Sequence, residues 1–342
     1  MAFRIGLLAL CVLTLGCRQD ETARQAAPRA GGPISIDGSA TLLPVVRSLA
    51  DEFRRDNSGV SVATSASGTG AGFQKLCAGE IDIAAASRPI NAAEIQACQA
   101  QRVDFYELPV AFDSLSVVVS PRNSFASCLT LEELKTIWGP AAQDTVTRWN
   151  QVRPSFPDQA LHLIGPSQGS GTFDYFTLAI NGTEGSSRRD YVKEENFAAL
   201  ADRVAADAGS LGYLGFAYYL ANKERLKLVA IDSGEGCVSP TAESVANETY
   251  RPLSRPVLIY VSAAALARPE VNALARFYLS PDNALSIQRI GYVPLPTAAL
   301  LSISRHLDKN LTGPILGGRG AVVGLTPDVF ADDERVKSAL VR

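Results

Sequence analysis

The sequence predicts an α/β fold in which sheets are covered by helices, and three observations carry that prediction. Short strand-like runs alternate with segments of helical spacing along most of the chain. The composition is that of an ordinary globular protein, with 46% hydrophobic and 20% charged residues over 342 positions. The 27 Gly and 19 Pro are dispersed as turn punctuation and form no low-complexity tract. The length suggests about two domains. Basic side chains number 32 and acidic ones 35, a formal charge of -3. With no Lys/Arg block, this balance argues against a nucleic-acid partner. Two histidines, His162 and His306, disfavour a His-rich metal site.

The chain opens on Arg4 and an apolar run over 5–15, closed by Gly16-Cys17. A charged start, a short apolar core and a small residue at the break read as a signal peptide over 1–16. The run is too short to span a bilayer. Cys directly after Gly also fits a lipoprotein box, with Cys17 lipidated as the first mature residue. The other reading is an ordinary cleaved signal. Residues 17–32, polar and rich in Ala, Arg and Gly, read as a flexible tether. In an exported chain the even set Cys77, Cys98, Cys128 and Cys237 suggests two disulfides, with three pairings open. The preferred pairing is Cys77–Cys98, which closes a short loop within one αβα stretch, and Cys128–Cys237, which ties two segments of the middle region.

The elements follow in order. Ile34 to Ile36 is a strand, and Leu42, Val45, Val46, Leu49 and Phe53 give 41–56 helical spacing. Val60–Thr64 alternates as a strand, Phe73–Ala78 is helical, Ile81–Ala84 is a strand and Asn91–Gln101 a helix. Val103–Val110 and Leu115–Val119 read as separate strands around Pro109. Thr130 with Glu133 three residues on is a capping box, and that helix stops before Gly139-Pro140. A strand over Leu161–Ile164, a helix after Thr172 and a helix over Phe197–Ala206 come next. Tyr213–Phe216, Leu226–Ile231 and Val257–Val261 are strands, and helices lie near Pro269–Leu279 and Asp282–Ile290. Beyond Asn310 the pattern gives no assignment.

Three Gly/Ser/Thr turns each follow a strand and open a helix: Gly38-Ser39-Ala40-Thr41, Ser67-Gly68-Thr69-Gly70-Ala71-Gly72 and Gly169-Ser170-Gly171-Thr172. The first N–H groups of a helix lack internal partners and the helix dipole is positive there. Glycine admits a ligand close to the backbone, and the hydroxyls add neutral donors, so such turns suit an anion. Taken singly, each is an ordinary helix cap; three together point to a site. A fourth candidate is Ala86-Ser87-Arg88-Pro89, where Arg88 could fork onto a tetrahedral oxyanion. The competing reading pairs Arg88 with Glu94 or Asp82. A rival motif, Gly165-Pro166-Ser167-Gln168-Gly169, fits the nucleophile elbow of serine hydrolases, with Asp232 and His306 completing the chain order. Against it, Gln168–Thr172 intervene before the helix.

The ordered set of motifs resembles the phosphate-binding proteins of bacterial ABC phosphate importers. The matching residues are Asp37-Gly38-Ser39-Ala40-Thr41, Thr69-Gly70-Ala71-Gly72-Phe73, Ala78-Gly79-Glu80-Ile81-Asp82-Ile83, Ala86-Ser87-Arg88-Pro89-Ile90 and Glu107-Leu108-Pro109-Val110-Ala111. They continue with Leu131-Glu132-Glu133-Leu134, Trp149-Asn150, Gly169-Ser170-Gly171-Thr172-Phe173, Gly212-Tyr213-Leu214-Gly215 and Leu253-Ser254-Arg255-Pro256. The resemblance implies a two-lobed periplasmic solute-binding fold of type II, with two mixed sheets flanked by helices and a ligand cleft between lobes joined by two crossing strands. It places one lobe at 33–111, the other at 112–255, and the return to the first lobe with a C-terminal tail at 256–342.

By the same resemblance the ligand is inorganic phosphate, delivered to the membrane permease of an ABC importer by a receptor in the periplasm or cell envelope; the Gly16-Cys17 box adds a lipid anchor, and a monomer is expected. No catalysis, cofactor or metal is implied. Sulfate or arsenate is the alternative ligand. The carried-over binding residues are Ser39, Thr41 and the N–H of Leu42 in the first turn, Thr69 in the second, and Ser170, Gly171 and Thr172 in the third. Two family features are absent: an acidic residue where Ser87 stands, and an Arg where Pro166 stands. Arg88 is therefore expected to face the cleft and supply the positive charge, with Asp113 or Asp174 as the carboxylate that rejects sulfate.

Overall fold

Alternation of Ile34 and Ile36 with Ser35 makes the first strand, β1 (Ile34–Gly38), and both isoleucines are buried. The computed structural model describes residues 32–341, so the signal segment, Cys17 and most of the tether lie outside the described residues. The further strands are β2 (Val62–Thr64), β3 (Ile83–Ala86), β4 (Phe105–Val119), β5 (Cys128–Thr130), β6 (His162–Pro166) and β7 (Val192–Glu194). They continue as β8 (Ser210–Gly215), β9 (Lys227–Asp232), β10 (Cys237–Val238), β11 (Ser254–Ser262) and β12 (Val293–Pro294).

Eight strands form one path in the order β2-β1-β3-β11-β4-β8-β6-β7; off it, β12 and β9 pair with β4, and β5 and β10 pair with β9. One half holds β1 with β2 and β3 in parallel, and β11 antiparallel to β3. The other half holds β6 parallel to β7 and β8, with β8 and β9 antiparallel to β4. Helices cover both, as expected of mixed sheets in an α/β fold. Thus two mixed sheets are joined by β4 and β11, which run antiparallel from one half into the other.

The break expected between Val110 and Leu115 does not occur: β4 is one buried strand of 15 residues that also runs through Pro109. Proline lacks a ladder donor, and the pairing of β4 with β11 shifts register between Val257 and Leu258, the latter opposite Pro109. A bulge there accommodates the missing N–H, so the strand passes through.

Most expected helices are present, with shifted ends. The first opens as a 3-10 turn, Ala40–Leu42, and continues as Leu43–Asp56 with Val45, Val46, Leu49 and Phe53 buried. The helix expected at Phe73 begins at Thr69 and ends at Cys77. Thr130 and Glu133 form both bonds of their capping box. The C-terminal region, unassigned from sequence, contains a helix at Thr297–Asp308, a 3-10 turn at Pro327–Ala331 and a helix at Asp333–Val341. Disulfides join Cys77 to Cys98 and Cys128 to Cys237. Among the described residues no helix is long and apolar enough to cross a membrane.

Glu107 of β4 is fully buried and accepts hydrogen bonds from the Tyr260 hydroxyl at 2.8 Å and the Leu316 N–H at 2.7 Å. Burial outweighs those bonds and pushes its pKa from 4.5 up to about 7. Between those values the native state holds a proton that the unfolded chain has lost, so stability falls as pH rises through the window. Urea denaturation of the parent and Glu107→Gln is expected to show a stability difference that shrinks in the parent's favour below pH 4.5 and grows against it by roughly 3 kcal/mol near neutrality. A difference that does not change with pH contradicts this role.

Candidate functional site

Each half supplies one Ser-X-Thr turn at the start of a helix. Ser39 follows β1 in an extended conformation and its Oγ accepts the N–H of Thr41 at 3.2 Å. Ser170 precedes the helix Gly171–Asn181 and its Oγ accepts the N–H of Thr172, also at 3.2 Å. Both serines are therefore helix caps. The two capped threonines meet where the halves touch, with Thr41 Oγ1 and Thr172 Oγ1 2.6 Å apart. The Leu42 N–H is engaged by the Ser39 carbonyl at 3.1 Å, so in this conformation the 3-10 turn takes the donor expected of it.

The second and fourth turns close on the same point. Thr69 Oγ1 lies 3.2 Å from Ser87 Oγ and accepts the Ser87 N–H at 3.3 Å. Gly171 packs directly against this pair: a Cβ there would overlap Ser87 Oγ and stand 2.7 Å from Thr69 Oγ1. Thr41, Thr69, Ser87 and Thr172 are all essentially inaccessible. Beside them a cavity of about 310 Å³ opens between the turns, bordered by Ser39, Thr69, Gly70, Gly169 and Ser170.

The cation in this cluster is Arg255, which the sequence reading did not assign to the site. It is fully buried on β11, in register with Asp113 on β4. Its Nη2 donates to Thr172 Oγ1 at 2.9 Å, to Asp113 Oδ2 at 3.0 Å and to Thr41 Oγ1 at 3.4 Å, while Nη1 donates to the Gly171 carbonyl at 2.7 Å. The Tyr175 ring packs 5.6 Å from the guanidinium carbon, and its hydroxyl is anchored on the Pro252 carbonyl at 2.9 Å. The guanidinium thus sits on the two crossing strands and reaches both threonines.

Asp113 is the second charged group. Its Oδ2 faces Arg255, while Oδ1 is buried and has no hydrogen-bond partner among the described residues. Burial pushes its pKa up against the pull of the Arg255 charge. A buried acceptor without a donor is costly, which makes it suited to a ligand that brings a proton. The other candidate carboxylate, Asp174, is occupied by Arg88 Nε at 2.9 Å.

Arg88 corrects the expectation placed on it. It is buried, but its fork is taken by Glu94, with Nη1 to Oε2 at 2.9 Å and Nη2 to Oε1 at 2.8 Å. Glu94 is held in turn by the capping box it forms with Asn91. With Asp174 on Nε and the Pro89 carbonyl on Nη1 at 3.1 Å, the guanidinium edge that would bind an anion is used. The hydrolase constellation is likewise not assembled. Asp232 accepts the amides of Gly234 and Gly236, at 2.8 and 3.1 Å, and His306 faces Asp333 at 3.3 Å, so both partners are committed away from Ser167.

Comparison with known proteins identifies the family of the chain. The PBP superfamily domain matches residues 22–282. Protein SphX of Synechocystis is 42% identical over 94% of this chain and 94% of its own. The phosphate-binding protein PstS of Staphylococcus aureus is 32% identical over 82% of this chain and 84% of its own. A crystal structure of a possible phosphate binding protein from Planctomyces limnophilus is 40% identical with a TM-score of 0.60, covering 82% of this chain and 99% of that one. An ABC-type phosphate transport receptor from Vibrio cholerae is 25% identical with a TM-score of 0.60, covering 77% and 100%. The chain belongs to the PBP superfamily and, within it, to the family of the PstS and SphX proteins.

Proposed function

We propose that this protein is an extracytoplasmic receptor that binds inorganic phosphate where its two halves meet and delivers it to the permease of an ABC importer. The carrying observation is the convergence of the Arg255 guanidinium, the Thr41 and Thr172 hydroxyls and the Asp113 carboxylate at one buried point. An anion stripped of water needs strong donors in return. Arg255 and the turn hydroxyls of Thr41, Thr69, Ser87 and Thr172 supply them, with the Gly171 N–H at the positive end of its helix. Hydroxyls, amides and a guanidinium hold an anion without activating a nucleophile, so the role is binding rather than catalysis. The named relatives support phosphate as the ligand and an ABC importer as the destination. The lobes are residues 33–111 with 256–342, and 112–255, hinged on β4 and β11. The Gly16-Cys17 sequence supports a lipid tether for the monomer.

Phosphate carries a proton near neutral pH, and sulfate does not. Asp113 Oδ1 accepts that proton's hydrogen bond and repels sulfate, whereas arsenate, also protonated, is admitted. Calorimetry of the parent should therefore show phosphate binding and no sulfate binding. Asp113→Asn should weaken phosphate by about ten- to a hundredfold, the cost of a charge-assisted bond, and narrow the gap to sulfate. Equal binding of both anions by the parent would sink this reading.

A further inference from the structure

We propose that Arg88 is a closure latch: an ion pair between the two halves that, with the C-terminal segment laid against it, holds the cleft shut and slows release of the ligand. Arg88 follows β3 in one half, whereas Asp174 lies on the helix after β6 in the other. The Nε edge of the guanidinium crosses the junction to Asp174 Oδ2 at 2.9 Å and faces Glu184 Oε1 at 3.7 Å. The opposite edge is clamped by Glu94 of its own half. The arginine is thus fixed to one half and offered to the other, while Arg255 reaches the cluster of hydroxyls.

A second, independent observation lies in the segment after Asn310. Gly313 donates to the Phe105 carbonyl at 2.8 Å, Leu316 to Glu107 Oε1 at 2.7 Å and Gly320 to the Ile90 carbonyl at 3.1 Å, all in the first half. At Gly320 the segment threads between the halves: a Cβ there would lie 3.3 Å from Glu184 Oε2 and 3.4 Å from Asn91 Cβ. Gly320 has φ +75, so glycine suits both the turn and the gap. The segment thus lies against Glu184, a carboxylate that faces the latch from the other half.

A contact made only when the halves are together favours that state by its own free energy and no more. Breaking it shifts the population toward opening and raises the dissociation rate, the usual consequence of truncating a buried charge pair. The latch rests on the reading of the cleft as a phosphate site, but closure can be measured without phosphate. The test is Asp174→Asn combined with Glu184→Gln, which spares Arg88 and leaves its Glu94 clamp in place. Small-angle scattering of the phosphate-free variant should show a larger radius of gyration than the parent. Release of radiolabelled inorganic phosphate, followed by rapid filtration, should accelerate by about tenfold. An unchanged radius with unchanged release overturns the latch. So does tighter phosphate binding by the variant, because an Arg88 freed from Asp174 would then be a ligand. If the parent does not bind phosphate, the phosphate reading fails and scattering alone decides the latch.

Discussion

Arg255→Ala is expected to abolish measurable phosphate binding in ordinary calorimetry. Removing one partner of a buried charged contact costs about 2–5 kcal/mol, or roughly 30- to 5,000-fold in affinity. The same change leaves Asp113 buried and unpaired, so it also destabilises the fold by about 3–5 kcal/mol. The double variant Arg255→Met with Asp113→Asn removes both charges and separates the two effects: stability should recover while binding stays lost. Arg255→Lys keeps the charge but cannot span Thr41, Thr172 and the Gly171 carbonyl from one fork, and should bind weakly. Wild-type affinity in a folded double variant would remove Arg255 from the site.

Gly171→Ala should impair binding without an electrostatic change. The new methyl meets Ser87 Oγ and Thr69 Oγ1, which are short, buried side chains on the opposite half and have little room to yield. Alanine is otherwise well tolerated in a first helical turn, so folding should be preserved. Overpacking typically costs about 1–3 kcal/mol. Here it falls on the conformation in which the halves meet, giving roughly a five- to 150-fold loss of affinity. Thermal unfolding within a few degrees of the parent, together with weakened binding, is the expected result. Unchanged binding would mean that the bound state leaves a gap at this contact.

The sequence carries two Ser-Arg-Pro tripeptides, at 87–89 and 254–256, and this explains the misplaced charge. Each is a plausible anion donor in isolation. What separates them is long-range register. Arg255 stands opposite Asp113 on a neighbouring strand 142 residues away, a pairing that no local pattern reveals. A local signal against Arg88 was present: Asn91 and Glu94 form a capping box just after it, which fixes a carboxylate within reach of the guanidinium. The three turns were legible because helix-start chemistry is local, and the structure brings Thr41, Thr69 and Thr172 to one buried cluster through the sheet order. The continuity of β4 was hidden because Asp113 and Ser114 interrupt the apolar run, and only their pairing with Arg255 and Ser254 of β11 keeps them in the strand. The segment after Asn310 resisted assignment because it owes its conformation to contacts with both halves rather than to a hydrophobic period of its own.

Arg255 on the crossing strands and Arg88 after β3 are the two arginines on which the anion could be held. A crystal structure of the protein grown with inorganic phosphate decides between them most directly. Phosphate oxygens are expected within hydrogen-bond distance of the Arg255 guanidinium and the Thr41 and Thr172 hydroxyls, with Asp113 Oδ1 facing the protonated oxygen and Arg88 still on Asp174 and Glu94. Phosphate bound to Arg88, with Arg255 turned away and paired only with Asp113, would contradict this.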